Sequence, residues 1–318
     1  MSTTARTPPI SRRAWWKKGL RKYAVVYLLL LIPVAVVFIF QYVPILGILM
    51  AFKDYKLKEG FWGIFTSPNV GLKHFRAVFA SGAFYTALFN TLKLTTLKLL
   101  IVFPAPIIFA LMLNEIRHKN YKRFVQTIST LPNFFSTITI FGIIQTLLSP
   151  SYGLVNMFLQ STGRDSIFFL GRPEWIRPLA VSWDVWQGTG WGAIVYLAVI
   201  TGIDAELYEA AIIDGTSRFQ SMARITLPGL TPAILLMFVF RIAGILDAGF
   251  EQMLVLYSTA VHSTAVTLDV FVLLRGVQDI SGISFAAAVG LFRSAVTVIL
   301  VLIANQISKK LGYVAVFD

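Results

Sequence analysis

Six long runs of apolar residues constrain the fold of this chain more than any other feature of its sequence. Each run approaches the roughly 20 residues that an α-helix needs to cross a hydrocarbon layer about 30 Å thick. The runs are continuously apolar and do not alternate every second residue, so they predict helices and not barrel strands. We therefore predict an all-α, polytopic integral membrane bundle with about six transmembrane helices. The predicted spans are residues 24–43, 87–113, 124–148, 179–201, 230–248 and 286–307.

The composition agrees with a protein that resides in a bilayer. The sequence is 56% hydrophobic and 14% charged, with a mean hydropathy of +0.72, which is far more apolar than a soluble domain. A formal net charge of +13 is also found in nucleic-acid-binding proteins. Here, however, the basic residues cluster beside predicted spans and do not form a binding face. We predict contact with membrane lipid and none with nucleic acid.

Basic clusters also predict the orientation of the bundle. One cluster precedes the first span and another separates the second span from the third, and such clusters mark the cytoplasmic ends of helices. Their members are Arg6, Arg12, Arg13, Lys17, Lys18, Arg21 and Lys22, and Arg117, Lys119, Lys122 and Arg123. With an even number of spans, this rule places both termini in the cytoplasm.

The chain divides into a short basic segment and one transmembrane domain. Residues 1–22 combine Trp15 and Trp16 with neighbouring lysines, which predicts a cytoplasmic amphipathic helix at the membrane surface, a disordered basic tail being the alternative. No small-residue cleavage site follows the first apolar run, so we predict an uncleaved anchor. The transmembrane domain covers residues 23–318.

Local composition predicts a kink and three external segments. Pro104 and Pro106 interrupt the second span, because proline lacks a backbone donor and clashes with the preceding turn. The external segments are residues 53–83, 149–177 and 251–285. Of these, 53–83 is expected to pack at the outer membrane interface, and the Gly and Pro content of 149–177 predicts a loop.

A polar island separates the fourth apolar run from the fifth. Four of the 15 acidic residues fall within it, namely Asp204, Glu206, Glu209 and Asp214. Small residues stand beside these carboxylates, and Gly215 suits the sharp turn that ends a helix. The orientation rule places the island in the cytoplasm, where it predicts a docking surface. An amphipathic interfacial helix without a partner is the alternative.

The island carries a spaced motif, in which Glu-Ala-Ala is followed by Gly after three residues, by Ile after nine more and by Leu-Pro after one more. The matching residues are Glu209, Ala210, Ala211, Gly215, Ile225, Leu227 and Pro228. This motif resembles the cytoplasmic EAA loop of binding-protein-dependent ABC importer permeases. Shorter motifs at 42–47, 51–55, 71–75 and 90–92 resemble the carbohydrate branch of that family, and most of all the permeases of oligosaccharide and polysaccharide importers such as the alginate importer.

The resemblance implies a fold, a membrane and a set of partners. It implies the type I ABC importer fold in a bacterial cytoplasmic membrane, with residues 202–228 as the coupling loop that docks on an ATPase subunit through the motif residues and Asp214. It further implies two ATPase subunits, a second homologous permease chain in a heterodimer, and an extracytoplasmic solute-binding protein. The sequence contains no Gly-x-x-x-x-Gly-Lys-Ser/Thr loop, so ATP and Mg are expected on the partner ATPases and no cofactor or metal on this chain.

Charged residues within the apolar runs indicate a substrate path. Lys93, Lys98, Arg241 and Arg293 lie in predicted spans, where each charge is costly unless it faces the interior of the bundle or snorkels to the interface. Asp184 and Asp247 lie at similar depth and are predicted to neutralise two of them. Helix-packing ion pairs explain this pattern, and so does an outward-opening cavity with surplus positive charge for an anionic saccharide. Arg241, Asp247 and Arg293 are the candidates for that cavity.

Aromatic residues in the fourth span are further candidates for the substrate path. Trp183, Trp186 and Trp191, together with Gln187, supply stacking surfaces and a hydrogen-bonding amide for a sugar. An aromatic belt at the outer membrane interface is the alternative.

We therefore predict a translocation subunit without catalytic residues, which passes a saccharide to the cytoplasm by alternating access. An ion-coupled secondary transporter of sugars is the main alternative, although it would need carboxylates near the middle of the membrane. A membrane-embedded glycosyl-processing enzyme would need a pair of catalytic acids in one compartment, which the sequence does not indicate.

Overall fold

The computed structural model describes residues 23–278 and 282–310, and the regular structure of these residues is helical. The α-helices are α1 (Ala24–Val37), α2 (Gly60–Thr66), α3 (Lys73–Ala80), α4 (Gly82–Ile101), α5 (Pro104–Asn114), α6 (Lys119–Thr130), α7 (Thr137–Leu147), α8 (Leu154–Ser161), α9 (Pro173–Ile200), α10 (Ala205–Ile213), α11 (Arg218–Ser221), α12 (Leu227–Ala243), α13 (Phe250–Leu256), α14 (His262–Ala265), α15 (Leu268–Gln278) and α16 (Ile283–Lys310). The predicted amphipathic segment 1–22 lies outside the described residues.

The predicted number of spans agrees with the helices of the described chain. Four unbroken helical stretches are long and apolar enough to cross a membrane, and two bent helix pairs raise the number to six. The unbroken stretches are Ala24–Phe52, Gly82–Asn114, Arg218–Ala243 and Ile283–Gln306. The bent pairs are Lys119–Phe134 with Thr137–Leu147, and Pro173–Ile200 with Ala205–Ile213. All-α membrane architecture is therefore confirmed.

Three predicted spans differ from the structure in their course. The first continues past Val43 to Phe52 as a tighter 3₁₀ turn series. The third is not one straight helix, because it bends by 102° between Phe134 and Thr137. The fifth was predicted to reach Ala248 but ends at Ala243, after which Gly249 adopts a left-handed conformation at φ +83°. Asp247 therefore lies beyond the helix, in a non-helical connection.

The second span is interrupted where the prolines predict it. Helix α4 ends at Ile101 and α5 begins at Pro104. The amide of Phe103 reaches back five residues to the carbonyl oxygen of Lys98 at 3.1 Å, so the donor pattern shifts at the break. The two helices still form one span, Gly82–Asn114.

The external segments contain more helix than their composition predicts. Segment 53–83 contains α2 and α3, segment 149–177 contains α8, and segment 251–285 contains α13, α14 and α15. Segment 149–177 is thus only partly a loop. These short helices pack on the bundle: the last segment contributes Met253, Val261 and Phe271 to buried clusters.

Helix α9 packs against helices from both halves of the chain and holds the interior together. Its outer half joins Leu94 of α4 and Met253 of α13 in one buried cluster. Its inner half joins Leu113 of α5 and Leu230 of α12 in another. This arrangement places the start of α12 beside the polar island and its end beside α4 and α9.

Candidate functional site

The polar island folds as a short helix with defined caps at both ends. Helix α10 begins where the side chain of Asp204 accepts the amide of Glu206 at 3.0 Å. It ends in a Schellman turn, because the amide of Thr216 donates to Ala211 at 3.0 Å and that of Gly215 donates to Ile212 at 3.1 Å. Gly215 occupies the left-handed region at φ +72°, as the glycine in the motif predicts.

The C-terminal end of α10 presents an apolar surface to its surroundings. Ile213 is 86% exposed and Ile212 is 73% exposed, and Glu209 and Ala210 are exposed beside them. Phe219, at the start of the following helical stretch, is 73% exposed. Exposed apolar side chains beside charged ones, as at this end of α10, are typical of an interaction surface.

The other motif residues hold the loop against its own chain. Ala211 is buried, with 7% of its surface exposed, so its small side chain allows other residues of this same chain to pack closely against it. Ile225 is half-buried and lies in a π-helical turn, Met222–Thr226, that runs directly into α12. Leu227 and Pro228 form the first turn of α12, as predicted for the proline, although the helical stretch starts earlier, at Arg218.

Direct contacts tie α10 to the base of α12. The hydroxyl groups of Tyr208 and Thr226 are 2.9 Å apart, and Thr226 is buried. Gly229 packs so closely on Ile203 that a β-carbon there would lie 2.7 Å from its terminal methyl group. The polar island is therefore joined to the base of α12 by close packing.

At the other end of α12, residues from distant parts of the chain line one cavity. We call it the inner cavity, and its volume is about 280 Å³. Its walls come from α4, α7, α9, α12, α13 and the connection between α12 and α13. The lining residues are Lys98, Thr137, Trp183, Asp184, Gln187, Phe240, Arg241, Gly244, Asp247, Gly249 and Gln252. Four of the predicted substrate-path residues therefore meet here: Trp183, Gln187, Arg241 and Asp247.

A buried ion pair forms one wall of the inner cavity. Lys98, with 3% of its surface exposed, places its Nζ 2.8 Å from Oδ2 of Asp184. The same ammonium donates to the carbonyl oxygen of Ala248 at 2.8 Å and to Oε1 of Gln252 at 2.7 Å. The amide of Gln252 donates to Oδ1 of Asp184 at 2.9 Å. All three hydrogens of the Lys98 ammonium thus have acceptors, which is the condition for burying such a charge.

The predicted neutralisation of cations by Asp184 and Asp247 is confirmed. Asp184 pairs with Lys98, and Oδ2 of Asp247 lies 3.9 Å from a guanidinium nitrogen of Arg293. Arg293 also binds Asp269, a partner that was not predicted. Within residues 23–278 and 282–310, no carboxylate lies within ion-pair distance of Arg241.

The inner cavity therefore does not have surplus positive charge. Its lining contains two cations, Lys98 and Arg241, and two carboxylates, Asp184 and Asp247. Ion pairs that pack helices together account for Lys98 and Arg293. Arg241 is the cation that this arrangement leaves available for a ligand.

The remaining predicted candidates lie away from the inner cavity. Arg293 lines a neighbouring depression with Asp247 and Asp269. Trp186 is 47% exposed and stacks on Phe135, and Trp191 is 51% exposed and meets Phe134 edge to face. Exposed tryptophans on a transmembrane helix fit contact with lipid or with another chain better than contact with substrate.

Trp183 and Gln187 form a fixed pair on one face of α9. The indole Nε1 of Trp183 donates to Oε1 of Gln187 at 2.7 Å, and the amide of Gln187 donates to the carbonyl oxygen of Phe135 at 3.3 Å. Trp183 is nearly buried, with 3% of its surface exposed. Both polar groups of Gln187 are therefore engaged, and the pair presents a rigid wall.

Five lining residues were not predicted from the sequence: Thr137, Phe240, Gly244, Gly249 and Gln252. Gln252 lies in a segment interpreted as external, and its partners Lys98 and Asp184 are remote in sequence. The need for a glycine at position 249 is visible only in the structure, because a β-carbon there would lie 3.1 Å from Nζ of Lys98.

Fold and loop together define the inner membrane subunit of a transport system. The model of the family described as binding-protein-dependent transport system inner membrane component matches residues 102–313, and the chain belongs to this family. Membership confirms the predicted permease class and excludes the alternative of a secondary transporter. The protein is a multi-pass membrane protein.

Two proteins of Bacillus subtilis (strain 168) are similar over nearly the whole chain. Protein LplB is 39% identical over 95% of this chain and 94% of its own length. The polygalacturonan/rhamnogalacturonan transport system permease protein YteP is 38% identical over 98% of both chains.

Solved structures confirm the type I importer fold. A chain of a bacterial ABC transporter involved in the import of the acidic polysaccharide alginate has a TM-score of 0.84 at 38% identity, covering 94% of this chain and 99% of that chain. A bacterial alginate ABC transporter in complex with alginate pentasaccharide-bound periplasmic protein gives the same values.

Proposed function

We propose that this chain is a permease subunit that passes an acidic oligo- or polysaccharide into the cytoplasm of a bacterium. The saccharide is received from an extracytoplasmic solute-binding protein and crosses the cytoplasmic membrane by alternating access. The inner cavity supports this proposal, because it combines an aromatic wall, hydrogen-bonding groups and the available cation Arg241. The descriptions of two similar transport proteins mention acidic polysaccharides, alginate in one and polygalacturonan in the other.

Energy comes from two ATPase subunits that bind ATP and Mg, and a second homologous permease chain completes a heterodimer. The exposed end of α10 is the surface on which one ATPase docks, through Glu209, Ala210, Asp214 and the neighbouring isoleucines. Gly215 sets the turn, and Ala211, Ile225, Leu227 and Pro228 hold the loop on α12. Because α10 is packed on α12, docking acts on the helix that ends at the inner cavity.

Uptake by proteoliposomes tests this function. The chain, its co-purifying partners and the binding protein are reconstituted, and uptake is measured with ATP or without it for trigalacturonate, trimannuronate and neutral trisaccharides. We expect uptake that requires ATP and favours an acidic trisaccharide. Uptake that does not depend on ATP would refute the class of transporter, and equal uptake of neutral trisaccharides would refute the acidic substrate.

Arg241 provides a sharper test of the substrate class. Arg241→Gln removes the available cation, and we expect acidic uptake to fall by about 10- to 100-fold, the value of one charge-assisted hydrogen bond. Lys93→Gln is the matched control, because Lys93 is an exposed cation on α4 that does not line the inner cavity. Equal uptake by the two variants would exclude Arg241 as a substrate contact.

A further inference from the structure

A second and larger cavity lies on the outer side of the bundle. We call it the outer cavity; its volume is about 710 Å³. Its lining residues are Ala83, Thr86, Tyr257, His262, Ser263, Val266, Phe271, Leu274 and Arg275. They come from the first turns of α4 and from the segment between the fifth and sixth spans. None of them belongs to the predicted substrate path or to the predicted coupling loop, residues 202–228, which we call the docking loop.

The outer cavity has the composition of a ligand site. Most of its wall is apolar or aromatic, and a few polar groups converge on it, as is usual for small-molecule pockets. The hydroxyl group of Tyr257 lies 3.2 Å from Nδ1 of His262. The guanidinium of Arg275 lies 5.9 Å from the centre of the Phe271 ring, which holds the planar group against the wall.

Its charge differs from that of the inner cavity. Among the described residues, the wall of the outer cavity carries Arg275 and His262 and no carboxylate. The lining of the inner cavity, in contrast, carries two carboxylates, Asp184 and Asp247, beside its two cations. A guanidinium binds a carboxylate through two parallel hydrogen bonds, whereas carboxylates in a cavity wall repel a carboxylate on the ligand. Selection for an acidic sugar is therefore stronger at the outer cavity.

The wall of the outer cavity is held in place before any ligand binds. The amide of Asn90 donates to the carbonyl oxygens of Ser263 at 2.8 Å and Val266 at 3.0 Å. Its Oδ1 accepts a hydrogen bond from Arg177 at 2.9 Å. These bonds fasten the external segment to α4 and α9. A preformed wall lowers the entropy cost of binding.

The outer and inner cavities follow one another along α4. Thr86 lines the outer cavity and Lys98, twelve residues later, lines the inner one. At 1.5 Å per residue they are about 18 Å apart along the helix axis. An extended saccharide entering from outside meets the outer cavity first.

We propose that the outer cavity is a second saccharide subsite, in which Arg275 binds the carboxylate of one acidic sugar residue and Tyr257 packs against its ring. The subsite selects acidic chains and orients them before they reach the inner cavity. This inference rests on the proposed function, since it assumes that the saccharide passes through this chain from the outside.

Photolabelling tests the subsite directly. Trigalacturonate with a diazirine at its reducing end is added to the purified transporter in nanodiscs, irradiated, and the labelled peptides are identified by mass spectrometry. We expect labelling of the peptides that contain residues 257–275, reduced by about 10-fold or more in Arg275→Gln and partly restored in Arg275→Lys. Arg164→Gln, which removes an exposed external arginine outside the cavity, should label as the wild type does.

Two results would overturn the subsite. One is the absence of wild-type labelling at 257–275, as expected if a partner chain fills the cavity; the other is equal labelling in Arg275→Gln and Arg164→Gln. Uptake by the same preparations separates this inference from the proposed function. Wild-type uptake without labelling refutes the subsite alone. Labelling without ATP-dependent uptake refutes the proposed function and leaves only the binding of the saccharide at the outer cavity.

Discussion

Gly215 allows the docking loop to be perturbed without any steric clash. Its φ of +72° lies in the left-handed region, and a β-carbon added there would meet no atom within 4 Å. The cost of a substitution therefore comes from the backbone alone, at about 1–2 kcal/mol for an ordinary L-residue. Gly215→Val relieves this strain by opening the Schellman turn, which breaks the hydrogen bonds of Gly215 and Thr216 to the last turn of α10.

That strain sets the expected loss of binding. If the ATPase binds only the closed turn, 1–2 kcal/mol lowers its affinity by about 5- to 30-fold. Gly215→Asn is the matched control, because asparagine adopts the left-handed conformation with little penalty. The assay is titration of the purified ATPase against the permease in nanodiscs, with the amount of permease in the membrane fraction as a check on insertion. Equal affinities for the Val and Asn variants would refute the reasoning.

Two further predictions concern packing within the membrane. Lys98→Met leaves the half-buried Asp184 without its cation and should cost about 1–3 kcal/mol, seen as a lower melting temperature in detergent. Lys98→Met combined with Asp184→Leu should recover much of the loss, and no recovery would contradict the pairing argument. Gly190→Ala places a β-carbon 2.0 Å from the backbone oxygen of Ser129 and should destabilise the fold by about 1–3 kcal/mol. Gly188→Ala on the same helix is the control, because its β-carbon meets nothing within 4 Å. Equal melting temperatures of these two variants would exclude the close contact.

The sequence predicts the spans well because the bilayer imposes one requirement on every residue within them. A run such as 286–307 must be apolar and helical wherever it lies in the bundle, so composition alone identifies it. The local conformation of the loop 202–228 was also predictable, since Gly215 and Pro228 have conformational roles that do not depend on distant residues. The residues of the Glu-Ala-Ala motif lie in one continuous segment, from α10 to the first turn of α12.

The inner cavity was only partly predictable, because its contacts join residues far apart in sequence. Charge in an apolar run showed that Lys98 needs a partner, and Asp184 was available at the right depth. No comparable signal marks Gln252 in the sequence, because its role depends on the fold of a segment interpreted as external. The same holds for the pairing of Arg293 with Asp269.

The unbroken helical stretch Arg218–Ala243 gives this permease a mechanical lever. Its 26 residues span about 39 Å, from the docking loop to the inner cavity. If the stretch turned about its far end, a tilt of about 5° would displace the loop end by about 3 Å over that length. The chain just beyond that end is fastened by the bond from Lys98 to Ala248, which makes the Lys98 network a pivot. Because Phe240 and Arg241 at the end of this helix line the inner cavity, rotation about the pivot would change the width of that cavity without unwinding the helix.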